Sequence, residues 1–246
     1  MNTQMNAPVS AHDHLVTSSP LKSNPLIVAL DLETAAEARA LVHTLGDAAG
    51  FYKVGLELFT SAGMDFVKEL KSQGKRIFLD LKMYDIGETV KRAVSQVAKA
   101  GVDLMTVHAM RQVVLAASAG KAASGLRILA VSVLTSFDDE DLRTDGHSQT
   151  VSELVELRSR NAVAADADGI VCSALEVARV RKVVGPDKLL VIPGVRSAGA
   201  SKGDQKRVAT PRQAIADGAD YLVIGRQVTR SENPRAEFEK ILEEIQ

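Results

Sequence analysis

Short apolar runs alternate with segments of helical pattern along the chain from Pro25 onward. The runs are continuous and do not alternate with polar residues, which is typical of parallel strands buried on both faces. Strands are predicted at 27–30, 51–55, 77–81, 102–107, 126–134, 169–172, 189–192 and 221–224. Helices are predicted at 33–46, 57–73, 88–100, 111–121, 151–163, 174–184, from Pro211 with Thr210 as its N-cap, and at 233–246.

Eight strand–helix units predict an α/β fold, a single (β/α)8 TIM barrel over residues 24–246. An open doubly wound sheet is the alternative, and it predicts a glycine-rich turn after the first strand. The residues there are 31–34, Asp-Leu-Glu-Thr, so the barrel is favoured. Residues 1–23 are rich in Ser, Asn, Thr and His and lack an apolar segment. We expect them to be a disordered N-terminal extension or a remnant of cloning.

Composition excludes several classes of protein. The 246 residues are 46% apolar, which is enough for one large core. With 30 basic and 31 acidic residues and no basic run, nucleic acid is not the expected partner. No apolar run reaches membrane-spanning length, and the first residues resemble neither a secretory signal nor a transit peptide. Cys172 is the sole cysteine, which excludes an internal disulfide and indicates a reducing compartment, the cytoplasm.

Charged residues stand at the end of the third predicted strand. Because side chains alternate along a strand, Phe78, Asp80 and Lys82 are predicted to share the face that points into the barrel. Neighbours on one face lie about 6.6 Å apart along the strand. Asp85 follows just past the strand end. The simplest interpretation of this stretch alone is a structural ion pair.

The first two strands add Asp31 and Lys53 at the same end of the predicted barrel. Active sites of these barrels lie at the carboxyl ends of the strands, so the four charges should converge on one side of the mouth. Their signs alternate, and a lysine between aspartates stays protonated. It would therefore serve as a cation and proton donor, whereas Schiff-base chemistry needs a neutral lysine. This array makes a purely structural ion-pair network the weaker interpretation.

A second candidate site follows the last two strands, where barrels often bind phosphate. The long loop 194–207 is rich in Gly, Ser and Lys, and its Gln205 offers an amide donor. Gly225 permits a close backbone approach, and Arg226 offers a planar fork of donors. We interpret the loop as a lid, with a flexible surface loop as the alternative. His108 and Cys172 are interpreted as structural, and no cluster has the spacing of a metal site.

These motifs together resemble the orotidine 5'-phosphate decarboxylase family, in its bacterial branch, over about residues 24–246. The central match is residues 80–86, which fit the pattern D-x-K-x-x-D-I. That pattern alone is shared with other members of the wider superfamily. Four further matching segments make the resemblance specific. One precedes the central match, residues 53–57 (KVGLE), and three follow it, residues 193–196 (PGVR), 203–207 (GDQKR) and 220–226 (DYLVIGR).

The resemblance implies decarboxylation of orotidine 5'-monophosphate to uridine 5'-monophosphate and carbon dioxide, the last step of de novo UMP biosynthesis. It implies no metal and no organic cofactor. Carried over by position, Lys82 donates the proton to C6 and Asp80 faces the departing carboxylate. Lys53 holds the array and touches the ribose, and Asp31 binds a ribose hydroxyl.

The resemblance also implies a homodimer with shared active sites. Asp85, with Ile86 and Thr89, would complete the site of the neighbouring subunit. Thr135, with Ser136 as a further candidate, would lie near the pyrimidine. The residues implied to hold the phosphate are Arg196, Gln205, Gly225 and Arg226.

Two other functions stay open on the sequence. One is a metal-dependent sugar-phosphate decarboxylase or aldolase of the same superfamily, such as a keto-gulonate-phosphate decarboxylase or a hexulose-phosphate synthase. Activity that survives exhaustive chelation would exclude it. The other is a non-catalytic barrel that binds a phosphate-bearing ligand. The array argues against a pure binder, which has no use for a buried lysine between acids.

Overall fold

The structure, a computed structural model, describes residues 24–198 and 209–246. Its centre is a closed barrel of eight parallel strands in sequential order, in which β8 pairs with β1. The predicted (β/α)8 barrel is thus confirmed, and the open sheet is excluded because the first and last strands pair. The strands are β1 (Leu26–Ala29), β2 (Phe51–Gly55), β3 (Arg76–Met83), β4 (Leu104–His108), β5 (Arg127–Val131), β6 (Gly169–Val171), β7 (Leu189–Pro193) and β8 (Tyr221–Ile224).

Helices cover the outside of the barrel. In the described part of the chain the α-helices are α1 (Ala35–Leu45), α2 (Leu56–Ser72), α3 (Gly87–Lys99), α4 (Arg111–Lys121), α5 (Asp139–Thr144), α6 (Val151–Ala164), α7 (Val177–Val184), α8 (Pro211–Ala216), α9 (Arg226–Thr229) and α10 (Pro234–Glu244), and a 3-10 turn (Ala174–Glu176) precedes α7. Thr210 caps α8 as predicted, because its side chain accepts the N–H of Gln213. None of these described helices is both long and apolar enough to cross a membrane.

The structure differs from the sequence prediction at a few boundaries. The predicted polar loop 137–148 contains α5, which is capped by Asp138. The short helix α9 directly follows β8 and was not predicted. The fifth strand ends at Val131, three residues before the predicted end, because its ladder to β6 ends there. Residues 1–23 lie outside the described residues, so their predicted disorder stays a prediction.

Two apolar clusters explain the continuous strand runs. The outward side chains of the strands pack with the helices in the larger cluster. The inward side chains form a smaller cluster inside the barrel, which includes Ile27, Ala29, Phe51, Phe78, Leu104, Leu129, Val131, Val171, Val191, Tyr221 and Val223. Both faces of each strand are therefore buried, as expected for a barrel.

An arginine and two aromatic rings fill the amino-terminal end of the barrel. The guanidinium carbon of Arg76 lies 3.9 Å from the ring centroid of Phe51, and Nη2 donates to the Tyr221 hydroxyl at 3.2 Å. The rings of Phe51 and Tyr221 meet edge to face with centroids 5.6 Å apart. The two rings and the Tyr221 hydroxyl are the partners of this inward cation. The open end of the barrel is the opposite one, where the charged array was predicted.

Three aspartates repeat one arrangement at the amino-terminal face. Each aspartate directly precedes an even-numbered strand and accepts a backbone N–H from the odd-numbered strand before it. Each also pairs with a cation from the helix that leads into that odd-numbered strand. The three sets are Asp103 with Ile77 and Lys71, Asp168 with Ile128 and Lys121, and Asp220 with Leu190 and Arg181. These contacts fix the register of successive strand pairs at the face remote from the open end.

Candidate active site

A cavity of about 480 Å³ opens at the carboxyl-terminal end of the barrel. Its floor is the top of the inner apolar cluster, and its rim is formed by the residues that follow the strands. The lining residues are Ala29, Asp31, Lys53, Glu57, Phe78, Asp80, Lys82, Thr135, Val171, Pro193, Gly194, Arg196, Val223, Gly225, Arg226 and Arg230. The cavity therefore brings the four predicted charges together with the described residues of the second predicted site.

Strand register brings the first three charged residues together. Lys53 on β2 and Phe78 on β3 are directly paired, as are Gly55 and Asp80. Because all strands are parallel, alternate positions on neighbouring strands project inward at successive heights. Lys53 and Asp80 therefore follow the same inward rows as Phe51 and Phe78, and Asp31 follows Ala29. The predicted inward orientation of these residues is the one observed.

The four charges form one continuous chain of contacts. The Nζ atom of Lys53 lies 2.7 Å from Asp31 Oδ1 and 3.6 Å from Asp80 Oδ2. The Nζ atom of Lys82 lies 2.8 Å from the same Asp80 oxygen. The side chains of Lys53 and Asp80 are 10% and 12% exposed, whereas that of Lys82 is 36% exposed. The inner pair is thus withdrawn from water, and the Lys82 ammonium faces the open cavity.

The charges of the two lysines keep Asp80 ionised. Burial by itself raises the pKa of the Asp80 carboxyl, because it disfavours the charged form. The charges of Lys53 and Lys82, with hydrogen bonds from Lys82 and Thr106, outweigh burial and leave that pKa below its ordinary value. At neutral pH the cavity therefore holds a fixed carboxylate between two ammonium groups.

Lys82 reaches this position through an irregularity that the sequence did not predict. The register between β3 and β4 shifts between Leu79 and Met83. Within this bulge the φ angle of Lys82 is 47°, in the left-handed region that residues other than glycine rarely adopt. Thr106 on β4 accepts the Lys82 N–H at 2.9 Å and donates to Asp80 Oδ1 at 2.8 Å. Simple alternation along β3 is therefore not what places the Lys82 side chain.

Gly55 provides the space that the array occupies. A Cβ atom at this position would lie 2.7 Å from the Lys53 ammonium and 2.9 Å from Asp31 Oδ1. Both distances are shorter than real Cβ contacts. Gly55 belongs to the segment 53–57 that carries the family resemblance, but the sequence alone assigned it no role. The structure explains it as the point where the ion pair passes closest to the backbone.

Arginines line the other side of the cavity. Arg196 follows β7, Arg226 begins α9 just after β8, and Arg230 is the C-cap residue after that short helix. Burial lowers the pKa of Arg196 from its ordinary value, and the neighbouring charge of Arg226 lowers it further. Like charges held together in a partly buried place favour a bound anion. Gln205 and most of the predicted lid lie outside the described residues.

Gln227 anchors the first residues of the long loop, which are the part of that loop that the structure describes. Its side-chain oxygen accepts the Ser197 N–H at 3.2 Å, and Nε2 donates to Ser197 Oγ at 2.9 Å and to Glu237 at 2.7 Å. The amide thereby ties the segment after β7 to α9 and α10. It fixes the neighbourhood of Arg196 relative to Arg226.

The remaining predicted residues divide into two groups. Thr135 lines the cavity, whereas Ser136 does not. Asp85, Ile86 and Thr89 are exposed and lie outside the cavity within the described chain. Asp85 Oδ1 accepts the Ile86 N–H at 2.6 Å. A single copy of the chain therefore does not bring these three residues to its own cavity.

Three residues in or behind the cavity wall were not predicted to belong to the site. Glu57 and Arg230 line the cavity, and Thr106 lies directly behind it. Glu57 lies two residues after Gly55, at the start of α2. This position just past the carboxyl end of β2 was the sequence signal that could have identified Glu57 as a lining residue. Thr106 offered none, because a threonine within an apolar strand has the ordinary appearance of a β-branched core residue.

His108 and Cys172 have surroundings that fit a structural role. Burial lowers the pKa of His108, with smaller contributions from Arg158 and Lys82, which favours the neutral imidazole. Its ring lies 5.7 Å from that of Tyr84. Cys172 is buried. Among the described residues, no group of three or more His, Cys, Asp or Glu is placed to hold a metal ion.

The fold and the cavity define a class, a (β/α)8 barrel whose open end combines an alternating lysine–aspartate array with a cavity wall lined by arginines. The sequence pattern of the orotidine 5'-phosphate decarboxylase / HUMPS family matches residues 24–241. The chain belongs to this family.

Relatives named orotidine 5'-phosphate decarboxylase are similar to the chain over nearly its whole length. One from Rhodopseudomonas palustris (strain BisB5) is 47% identical over 231 residues, which cover 94% of this chain and 98% of the relative. One from Methylobacterium nodulans is 49% identical and covers 92% and 98%. The crystal structure of orotidine 5'-phosphate decarboxylase from Lactobacillus acidophilus superposes with a TM-score of 0.79 at 38% identity, covering 90% and 99%.

Proposed function

We propose that this chain is an enzyme that decarboxylates orotidine 5'-monophosphate to uridine 5'-monophosphate and carbon dioxide, the last step of de novo UMP biosynthesis. The observation that carries the proposal is the Asp31–Lys53–Asp80–Lys82 chain of contacts in the same cavity as the arginines. A nucleotide has a base that can react at the lysine–aspartate array and a phosphate that can bind the arginines. The relatives named for this activity support it over nearly the whole chain.

Lys82 is the residue to which we assign the proton transfer. Loss of carbon dioxide leaves an electron pair at C6 of the pyrimidine. A fixed ammonium interacts more strongly with that developing negative charge than with the bound substrate, and only such differences accelerate a step. The Lys82 ammonium is also the nearest acid, so one proton passes from Nζ to C6 and the lysine is left neutral. Its greater exposure allows it to regain a proton from solvent.

The other members of the array hold Lys82 and contact the substrate. Asp80 bonds the Lys82 ammonium and would face the departing carboxylate. Lys53, between two aspartates, holds the array and would reach the ribose. Asp31 is the most exposed of the four and would accept a ribose hydroxyl. Phe78 and Val223 supply the apolar floor under the base.

The arginines supply the phosphate site in this proposal. Arg196 and Arg226 would bind the phosphate with Gly225 and Gln205, and Thr135 would lie near the pyrimidine. Binding energy gained at the remote phosphate can position the reacting base.

A second copy of the chain completes the site in our proposal. Tyr84 and Ile86 are 66% and 78% exposed, which is high for large apolar side chains next to an active-site motif. A homodimer would cover them and would bring Asp85, Ile86 and Thr89 to the partner's cavity. The family resemblance of residues 80–86 supports this arrangement. We propose no nucleic acid and no membrane as partners.

Two organisational points belong to the same proposal. Residues 24–246 form one catalytic domain, which the family match over 24–241 supports, and residues 1–23 form an extension outside it. The enzyme acts in the cytoplasm, which the presence of only one cysteine in the sequence, Cys172, supports.

The deciding experiment is an absorbance assay of the purified protein with orotidine 5'-monophosphate in an excess of chelator. We expect full turnover without added metal or cofactor. Activity that disappears on chelation and returns with a divalent cation would instead favour the metal-dependent sugar-phosphate enzymes of the superfamily. Tight binding of uridine 5'-monophosphate without turnover would favour the non-catalytic barrel.

A further inference from the structure

Thr106 occupies the one place where the β3–β4 ladder is irregular next to the array. Leu79 pairs with Met105 and Met83 pairs with Val107, so β3 advances four residues while β4 advances two. Thr106 is the β4 residue opposite the extra residues, and it is fully buried. A bulge of this kind leaves backbone groups without their usual ladder partners.

The Thr106 hydroxyl bonds two groups beside the bulge. It accepts the backbone N–H of Lys82 at 2.9 Å, in place of a ladder carbonyl. It also donates its own hydrogen to Asp80 Oδ1 at 2.8 Å. A hydroxyl has one donor and two acceptor sites, so both bonds form at once. One side chain thus touches the backbone of the lysine and the carboxylate that the lysine ammonium contacts.

We propose that Thr106 is a positioning residue for the decarboxylation: its hydroxyl sets the orientation of the Asp80 carboxylate and holds the backbone turn that aims the Lys82 ammonium. The inference rests on the proposed function, since it assigns Thr106 a role in that same site.

The Asp80 carboxylate is held from both of its oxygens. Oδ2 takes the contacts of Lys82 and Lys53, and Oδ1 takes the bond from Thr106. The last torsion of an aspartate is soft, so contacts to one oxygen leave the carboxylate free to rotate about it. The bond to Oδ1 removes that freedom and fixes the oxygen that faces the Lys82 ammonium.

The backbone of Lys82 depends on the same hydroxyl. A φ of 47° is unfavourable for lysine and persists only where surrounding contacts determine it. Without the acceptor, the Lys82 N–H is unpaired and the turn has less to hold it. Relaxation toward an extended strand would redirect the side chain, and a small displacement of an aligned reacting group is costly in rate.

The test compares Thr106→Val, which keeps the shape and removes the hydroxyl, with Thr106→Ser, which keeps the hydroxyl. Loss of a hydrogen bond to a charged group predicts a fall in kcat of about 10- to 100-fold for Thr106→Val. We expect KM for orotidine 5'-monophosphate to change less than about threefold, since Thr106 does not line the cavity. Thr106→Ser should recover kcat to within a few-fold of the unaltered enzyme.

A matched control removes another buried strand-end hydroxyl. Ser132 Oγ donates to the Val171 carbonyl at 3.0 Å and touches none of the four charges, so Ser132→Ala should keep kcat. Folding is checked by the unfolding midpoint and by its shift on adding uridine 5'-monophosphate. Thr106→Ala is measured in parallel, because a smaller side chain cannot overpack the strand if valine prevents folding.

Three results would overturn the inference. Thr106→Val or Thr106→Ala that folds and keeps its kcat would remove the role. A serine variant as impaired as the valine variant would assign the effect to packing of the methyl group. A rise in KM with unchanged kcat would assign it to binding. Failure of the unaltered enzyme to turn over orotidine 5'-monophosphate would instead overturn the proposed function, so the two failures are distinguishable.

Discussion

Gly55→Ala should disturb the array without touching any charged residue. Gly55 has φ −92° and ψ −177°, which alanine adopts without strain. The added Cβ would nevertheless lie 2.7 Å from Lys53 Nζ and 2.9 Å from Asp31 Oδ1. Ordinary contact begins at 3.4 Å, so the two atoms must retreat by 0.7 Å (3.4 − 2.7) and 0.5 Å (3.4 − 2.9).

The Lys53–Asp31 pair is where the strain should be released. Both colliding atoms are ends of flexible side chains, so they can move where the backbone cannot. Lys53 also contacts Asp80, which in turn holds Lys82, so the shift passes to the proposed proton donor. A misplacement of about 1 Å can cost about 100-fold in rate, so we expect a loss of about 10- to 100-fold in kcat/KM. Stability should be unchanged or slightly higher, because alanine restricts the unfolded chain more than glycine does.

The assay is the absorbance change on conversion of orotidine 5'-monophosphate, with the unfolding midpoint measured on the same samples. Gly50→Ala is the matched control, since a Cβ there meets nothing within 4 Å and its φ is not positive. Gly50→Ala makes the same chemical change at the residue before β2, whereas Gly55 is the last residue of β2. If Gly55→Ala keeps kcat/KM within about twofold of Gly50→Ala, the close approach does not control the array and the reasoning fails.

Four further predictions concern the charged groups. Lys82→Ala should keep affinity for uridine 5'-monophosphate and lose nearly all turnover, because the proposed proton donor is gone; near-normal turnover would refute the assignment. Arg226→Ala should weaken uridine 5'-monophosphate in calorimetry and leave uridine unchanged, and equal weakening of both would contradict the phosphate role. Mixing inactive Lys82→Ala and Asp85→Ala proteins should restore some activity through hybrid sites, and no recovery after verified subunit exchange would argue against a shared site. Asp168→Ala should lower the free energy of unfolding, measured by denaturant titration, by about 2 kcal/mol, because it leaves Lys121 and a backbone N–H without their carboxylate. Activity per folded molecule should stay unchanged, and a loss of stability below about 0.5 kcal/mol would contradict the prediction.

The prediction of the array succeeded for residues whose position follows from strand geometry alone. Asp31, Lys53 and Asp80 fall on the inward rows because parallel strands share one direction and side chains alternate. Their mutual contacts follow from the barrel order, in which consecutive strands are neighbours. Arg226 followed from the same logic at the end of β8, though its functional assignment is still a proposal.

The residues that were missed depend on contacts between distant parts of the chain. Thr106 has no distinguishing sequence signal, and its importance appears only where β3 and β4 fall out of register. The clash that makes Gly55 necessary depends on two side chains from different strands. Arg230 lines the cavity because the one-turn helix α9, which was not predicted, places it one turn after Arg226 at the open end.

The amino-acid sequence alone was enough to predict the order of strands and helices, the barrel class and the end of the barrel at which the charges lie. Those properties depend on periodicity and chain direction, which are local. Only the tertiary structure determined the left-handed turn at Lys82, the hydroxyl that supports it and the distances within the array. These properties depend on register and packing between strands, where differences below 1 Å separate an ion pair from a clash and no single segment carries the information.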